Sequence, residues 1–197
     1  MNYLAHAYLS FNNPQILVGN MISDFVKGKK KFDYPPAVQN GIMLHRMIDH
    51  FTDTHTATKR AMQVFKPVVG AYAGAFVDVV YDHFLANDQA EFPGTALESF
   101  AQSTYSILNN YGGLMPEKFG SMLPYMSSQN WLLNYRFTKG IENSFGGIFH
   151  RAKYLQKDNN ALRSFNDNYK MLNSCYQHFF PELKIFAYGR YCAFATE

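Results

Sequence analysis

The sequence is short of charge and nearly free of cysteine. Charged residues fill 17% of 197 positions, well below the roughly 25% of an average soluble domain, so polar residues inside apolar stretches are few enough to weigh singly. The two cysteines, Cys175 and Cys192, belong to no metal or redox spacing. They argue against a structural zinc and read as reduced thiols in a cytoplasmic protein. There is no Gly-rich phosphate loop and no Gly-x-Ser-x-Gly elbow, so P-loop and serine-hydrolase chemistry lack their motifs. The opening run MNYLAHAYLSFNNP has no positive region ahead of an apolar core, as a secretory signal requires. The most apolar window, Val68 to Ala86, is broken by Asp78, Asp82 and His83, which argues against a membrane span. A net charge of +3 is too mild to indicate nucleic acid, and it suits an acidic protein or a phosphorylated substrate.

What is abundant is apolar and aromatic. Hydrophobic residues make up 47% of the chain, with 18 Phe and 14 Tyr, enough to bury a sizeable core. The length fits one domain over residues 1–197, with no visible linker. Periodicity near 3.6 dominates and no stretch alternates as a strand does, so the fold class is all-α, a single-domain helical bundle. Helices are expected at about residues 2–12, 15–27, 35–53, 57–65, 71–87, 95–110, 116–126, 129–137, 139–155 and 158–180, with Pro and Gly pairs as boundaries. Pro181-Glu182 is read as the end of the last helix.

Aspartate is distributed unevenly. The first 90 residues hold seven Asp and no Glu, and all six Glu come later. Asp is the poorer helix former, because its short side chain competes for backbone groups. A helical region that keeps choosing it needs a reason. Asp33, Asp53 and Asp88 fall near helix ends or in a loop, whereas Asp24, Asp49, Asp78 and Asp82 read as mid-helix. Asp78 and Asp82 are four apart, so they share one helix face and repel unless a cation sits between them. His45 and Asp49 repeat that spacing on the third helix, with Gly41 one turn earlier to admit a neighbouring helix or a substrate. His6 lies among apolar neighbours on the first helix.

Convergence of three or four of these groups makes a mixed N/O site suited to Mn, Fe, Zn or Mg. The competing reading is a set of buried ion pairs with Arg46 and Lys27 plus a core histidine. Arg46 either clamps a phosphate bidentately or braces Asp49. Lys27, Lys29, Lys30 and Lys31 either receive an acidic partner or form a solvated helix end. His150, His178 and Trp131 read as structural.

Four ordered motifs carry a resemblance. Met1-Asn-Tyr-Leu-Ala-His6-Ala, Gly19-Asn-Met-Ile-Ser-Asp24-Phe-Val-Lys-Gly28, Gly41-Ile-Met-Leu-His45-Arg46-Met-Ile-Asp49-His-Phe-Thr-Asp53 and Asp78-Val-Val-Tyr-Asp82-His83-Phe-Leu-Ala86 resemble the acyl carrier protein phosphodiesterase family. A later match, Trp131-Leu-Leu-Asn-Tyr-Arg136, sits in register. The resemblance implies an HD-domain-like architecture and hydrolysis of the phosphodiester joining 4′-phosphopantetheine to a serine of holo-acyl carrier protein. It implies a divalent metal, commonly manganese, held by His6, Asp24, His45, Asp78 and Asp82, with Arg46, Asp49 and His83 as catalytic residues. Acyl carrier protein is acidic, which suits the +3 balance and the lysines after Asp24. One departure is Met47, where a second basic residue is expected. Two rival readings remain: an HD-type hydrolase of a small phosphorylated metabolite or nucleotide, and a non-catalytic helical module that binds carrier protein or lipid.

Overall fold

The computed structural model describes residues 1–152, 155 and 160–195. Those residues are mostly helical, with no strand among them. The order begins α1 (Tyr3–Tyr8), α2 (Pro14–Ile22), α3 (Pro36–Thr54), α4 (Thr56–Val69) and α5 (Ala73–Asn87). It continues α6 (Ala96–Asn110), α7 (Glu117–Ser128), α8 (Trp131–Asn134), α9 (Thr138–Arg151), α10 (Asn160–Asp167) and α11 (Tyr169–Ala195). The expected helix start at 158 and the far end of the 139–155 helix lie partly outside the described residues. Cys175 and Cys192 are free thiols.

Several expected boundaries move, and the segment read as one helix over 158–180 contains two, α10 and α11. The helix read as 2–12 stops at Tyr8, because Phe11 and Asn12 take φ of 50° and 57°, a conformation that ends a helix. Asn13 then opens α2, its Oδ1 accepting from the N–H groups of Gln15 and Ile16 at 3.1 Å each, with Pro14 pre-set at the first turn. The helix read as 15–27 ends at Ile22 and tightens into short 3₁₀ turns, Ser23–Phe25 and Gly28–Asp33. Asp24 is therefore on a 3₁₀ turn, not mid-helix, and the lysines form the second turn rather than a helix end.

The last helix runs straight through Pro181. An interior proline costs about 3 kcal/mol in a lone helix. Here the apolar face on either side of it, Tyr176, Phe179, Phe180, Leu183 and Ala187, is fully buried against α3, α4 and α5, and that burial outweighs the missing hydrogen bond.

α5 is the central element. Phe76, Val77, Val79, Val80, Tyr81 and Leu85 are wholly buried, Phe76 packs on Phe145 and Phe149, and Tyr81 stacks on Phe179 at 4.8 Å. By length and hydropathy the run Thr56–Asn87 would qualify as a membrane span, despite the interrupting Asp78, Asp82 and His83. Gly70, at φ 56°, divides it into two helices.

α2 and α3 are the most closely packed pair, and they cross backbone to backbone at Gly19 and Gly41. A Cβ on Gly41 would meet the Ile16 carbonyl at 2.3 Å, and one on Gly19 would meet the Val38 carbonyl at 2.0 Å. The small residue before His45 thus admits a helix. Because backbone rather than a flexible side chain opposes the new methyl, Gly41→Ala should cost about 3 kcal/mol, read as a lowered denaturation midpoint. A midpoint unchanged from wild type would mean that the crossing is loose.

Candidate metal centre

α1 rests on α2 and α5, and His6 points from it toward α3. The His6 and His45 rings lie nearly parallel, centroids 3.8 Å apart and planes 15° apart. One residue holds both. Asn20 Oδ1 lies 2.8 Å from His6 Nδ1, and the Asn20 backbone carbonyl lies 2.7 Å from His45 Nδ1. The Asn20 amide nitrogen donates to the His6 carbonyl at 2.8 Å and to Ser10 Oγ at 3.1 Å. This leaves Oδ1 as the acceptor toward His6. Both imidazoles therefore donate through Nδ1, and both Nε2 atoms turn to the same place.

Asp49 waits there. Its Oδ1 is 3.2 Å from His6 Nε2 and its Oδ2 is 3.0 Å from His45 Nε2, while Asp24 Oδ1 reaches His45 Nε2 at 3.2 Å. His6 Nε2 is buried and, for all its nearness to Asp49, makes no aligned hydrogen bond. In a neutral ring protonated at Nδ1, a lone pair faces a carboxylate oxygen. Two acceptors in contact require a proton or a cation between them. Among the described residues, His6, His45 and Asp49 are the group whose ligand atoms all lie within 4.8 Å of one another. Two imidazoles fixed through their far nitrogens, and one carboxylate, form a donor set that fits a divalent ion.

The titration of the cluster follows from this crowding. Burial alone would lower His45, but hydrogen bonds to Asp24 and Asp49 push it up to about 9. Burial, with His45 alongside, holds His6 below its ordinary value, since two stacked imidazolium rings would repel. Burial would raise Asp49, yet the two histidines hold it well below the usual carboxylate range. The hydrogen bond with His45 lowers Asp24, whose side chain is 70% exposed and forms the open edge of the site.

A family model described as acyl carrier protein phosphodiesterase matches residues 1–183. The chain belongs to that family. Relatives named acyl carrier protein phosphodiesterase include one from Klebsiella pneumoniae, 30% identical over 93% of this chain and 95% of its own. Another, from Enterobacter, is 31% identical over 94% and 96%, and one from Serratia proteamaculans is 32% identical over 93% and 95%. No solved structure matches the chain.

In this family member the sequence motifs divide between two places. Asp78 and Asp82 meet different partners. Asp78 Oδ1 lies 3.0 Å from the Met1 ammonium, which is 3.6 Å from Asp49, so Asp78 borders the cluster. Asp82 is fully buried beneath α1 and accepts from the backbone N–H groups of Asn2, Leu4 and Ala5 at 3.2, 2.7 and 3.4 Å. It satisfies the orphan donors at the start of the helix that carries His6. Burial raises its carboxyl to about 7.

His83, expected to shuttle protons, faces away from the cluster. Its Nδ1 meets the Tyr135 carbonyl at 2.7 Å and its Nε2 meets the Tyr169 hydroxyl at 3.0 Å. Tyr135 belongs to the Trp131–Arg136 motif, so two matching segments meet through this histidine. Arg46 donates from Nη2 to the Val26 carbonyl at 2.8 Å and, among the described residues, pairs with neither Asp49 nor Asp24. It ties the turn that carries Asp24 to α3. The residue that sequence reasoning gave no role is Asn20. Its signal was an amide in the apolar run Ile16-Leu-Val-Gly-Asn-Met-Ile22, where a buried polar group demands partners.

A prediction follows for the metal-free protein. By NMR, His45 should titrate near 9, whereas His6 stays neutral at pH 6.5. A folded pKa above the unfolded value of 6.5 means that the His45 contribution is complete below pH 6.5 and lost as pH rises through 9, so stability should fall across that interval. His45→Asn should flatten that part of the profile. Equal titration of both rings near 6.5 would contradict the geometry.

Proposed function

We propose that the His6–His45–Asp49 cluster is the centre at which the chain hydrolyses the phosphodiester linking 4′-phosphopantetheine to a serine of holo-acyl carrier protein. The observation that supports this most is His6 Nε2, buried without an aligned hydrogen bond and 3.2 Å from Asp49 Oδ1. In this reading His6, His45 and Asp49 hold a divalent ion. The mixed set suits manganese, iron or zinc better than magnesium, which prefers oxygen. A divalent ion bound there lowers the pKa of a water molecule and neutralises phosphate oxygens.

The chain's own groups do the rest. Asn20 fixes a proton on each Nδ1, so the proton that His45 gives up when a metal binds is the one on Nε2. Asp24, ionised and exposed, accepts a hydrogen bond from the attacking water and orients it. Water adds to phosphorus as the bond to the serine oxygen breaks, and the serine oxygen takes up a proton to give apo-carrier protein and 4′-phosphopantetheine. Asp82 and Arg46 act as positioning residues, one under α1 and the other behind the Asp24 turn.

Carrier-protein docking is assigned to the 3₁₀ turn Gly28–Asp33. Lys27, Lys29 and Lys30 are exposed there, beside Asp24, while Lys31 is half-buried with its Nζ 3.1 Å from Met43 Sδ. A positive edge next to the open side of the site suits an acidic protein.

The test is mass spectrometry of holo-acyl carrier protein incubated with the protein and Mn²⁺. Loss of the phosphopantetheine mass is expected. Asp49→Ala, which leaves two imidazoles without their carboxylate, should lower turnover at least a hundredfold while Asp24→Asn retains more of it. Cleavage undiminished in Asp49→Ala would contradict the assignment.

A further inference from the structure

Beside the cluster, between the start of α1, α8 and α9, lies a cavity of about 420 Å³, within the range of small-molecule sites. One wall, Trp131, Asn134 and Tyr135, belongs to the Trp131–Arg136 motif, for which the chemistry above gives no use. The wall is built rather than accidental. His83 holds the Tyr135 carbonyl, the Asn87 amide donates to the Arg136 carbonyl at 3.1 Å, and Arg136 pairs with Glu98 at 2.9 Å. On the other side, a Cβ on Gly140 would meet the Asn134 carbonyl at 1.8 Å, so α9 is seated against α8 by the absence of a side chain.

The lining chemistry is specific in kind. Asn2, Gln129, Asn134 and Asn143 bring side-chain amides and Ser144 a hydroxyl, beside the rings of Trp131, Tyr3 and Tyr135. Arg151 at the rim is the one charged group in the lining. Trp131 Nε1 already donates to Gln129 Oε1 at 2.9 Å and Asn134 Nδ2 to the Gln129 carbonyl at 2.6 Å, so the Gln129 amide nitrogen and the Asn134 amide oxygen are what these two offer a ligand. Such a cavity recognises a neutral, amide-bearing chain with apolar carbons, since one donor and one acceptor meet its amides while the rings cover the methylene and methyl groups. It does not suit a nucleotide base with several phosphates, for which one cation is too few.

Position gives the cavity its meaning. Tyr3 lines it and lies three residues before His6, so the two are neighbours on one side of α1. The Tyr3 hydroxyl also lies within electrostatic reach of both Asp24 and Arg151. A ligand with its phosphate at the His6–His45–Asp49 cluster therefore has the cavity one helical turn away, past Tyr3.

We infer that this cavity binds the pantetheine arm of the substrate, its two amides against the Asn and Gln side chains and its dimethyl carbon against Trp131. The inference rests on the reading of the cluster as a phosphodiesterase centre. It adds a specificity site that selects carrier protein bearing the arm over other phosphodiesters.

Trp131 is the sole tryptophan, so its fluorescence reports on the cavity alone. The probe is free pantetheine, which carries no phosphate and needs no metal. Two substitutions on α9 separate a blocked cavity from a disturbed fold. Gly147 lines the cavity, with Arg151 Nη1 3.4 Å from its would-be Cβ, whereas Gly146 faces open space and is not part of the lining. Replacing either helical glycine by leucine favours the helix, so both proteins should fold.

Wild type and Gly146→Leu should show a saturable Trp131 fluorescence change with pantetheine, and Gly147→Leu should bind at least tenfold more weakly. With holo-acyl carrier protein, Gly147→Leu should raise KM about tenfold, while Gly146→Leu keeps the wild-type KM. No saturable change in wild type, or equal binding by Gly147→Leu, overturns the inference. If wild type leaves holo-carrier protein uncleaved, the functional reading fails, and the pantetheine titration still decides what the cavity holds.

Discussion

Two hydrogen bonds from one residue, Asn20, organise the chemistry of this fold. Its side-chain oxygen accepts from His6 Nδ1–H and its backbone carbonyl accepts from His45 Nδ1–H. Both depend on α2 and α3 touching at Gly19 and Gly41, because any side chain there would lift the Asn20 carbonyl out of reach. The glycines are thus coupled to the protonation of two histidines. A neutral imidazole with its proton fixed on the far nitrogen is the form that binds a metal. The metal-free cluster, with a lone pair set against a carboxylate, is an arrangement that a cation relieves.

The remaining acids divide by what surrounds them. Asp49 keeps its charge because two imidazoles face it. Asp82 is enclosed without a countercharge in contact, and backbone amides at the start of α1 serve in place of one. That carboxylate fixes where α1 begins and hence where His6 sits. One motif, Asp78 to Ala86, in this way supports the site from below through Asp82 and the neighbouring cavity wall through His83. Adjacent residues on a helix point about 100° apart, which is why one short segment can serve two places.

Much of this was legible in the residues. The 3.6-residue period gave an all-helical chain, and the i,i+4 pairing of His45 with Asp49 survives as one side of the cluster. His6 and Asp24 also meet His45 or its partner. What failed did so for physical reasons. Identical spacing at Asp78 and Asp82 suggested a shared cation, but the direction of each side chain depends on α1 above them, and no local pattern encodes that packing. His83 looked chemical because imidazoles are, whereas a carbonyl from a segment 52 residues away engages it. Pro181 promised an end to a helix whose buried face continued regardless. Asn20 carries no charge to single it out, yet a neutral amide in an apolar run imposes the greater constraint.

Relatives about 30% identical along nearly the whole chain give the family, and the stacked histidines are the place proposed for its chemistry. Manganese-soaked crystals, with anomalous diffraction recorded at the manganese edge, would test that place directly. The expected result is a peak bonded to His6 Nε2, His45 Nε2 and an Asp49 oxygen, each at about 2.0–2.3 Å. A peak between Asp78 and Asp82 instead, or none at the stacked imidazoles at saturating manganese, would contradict it.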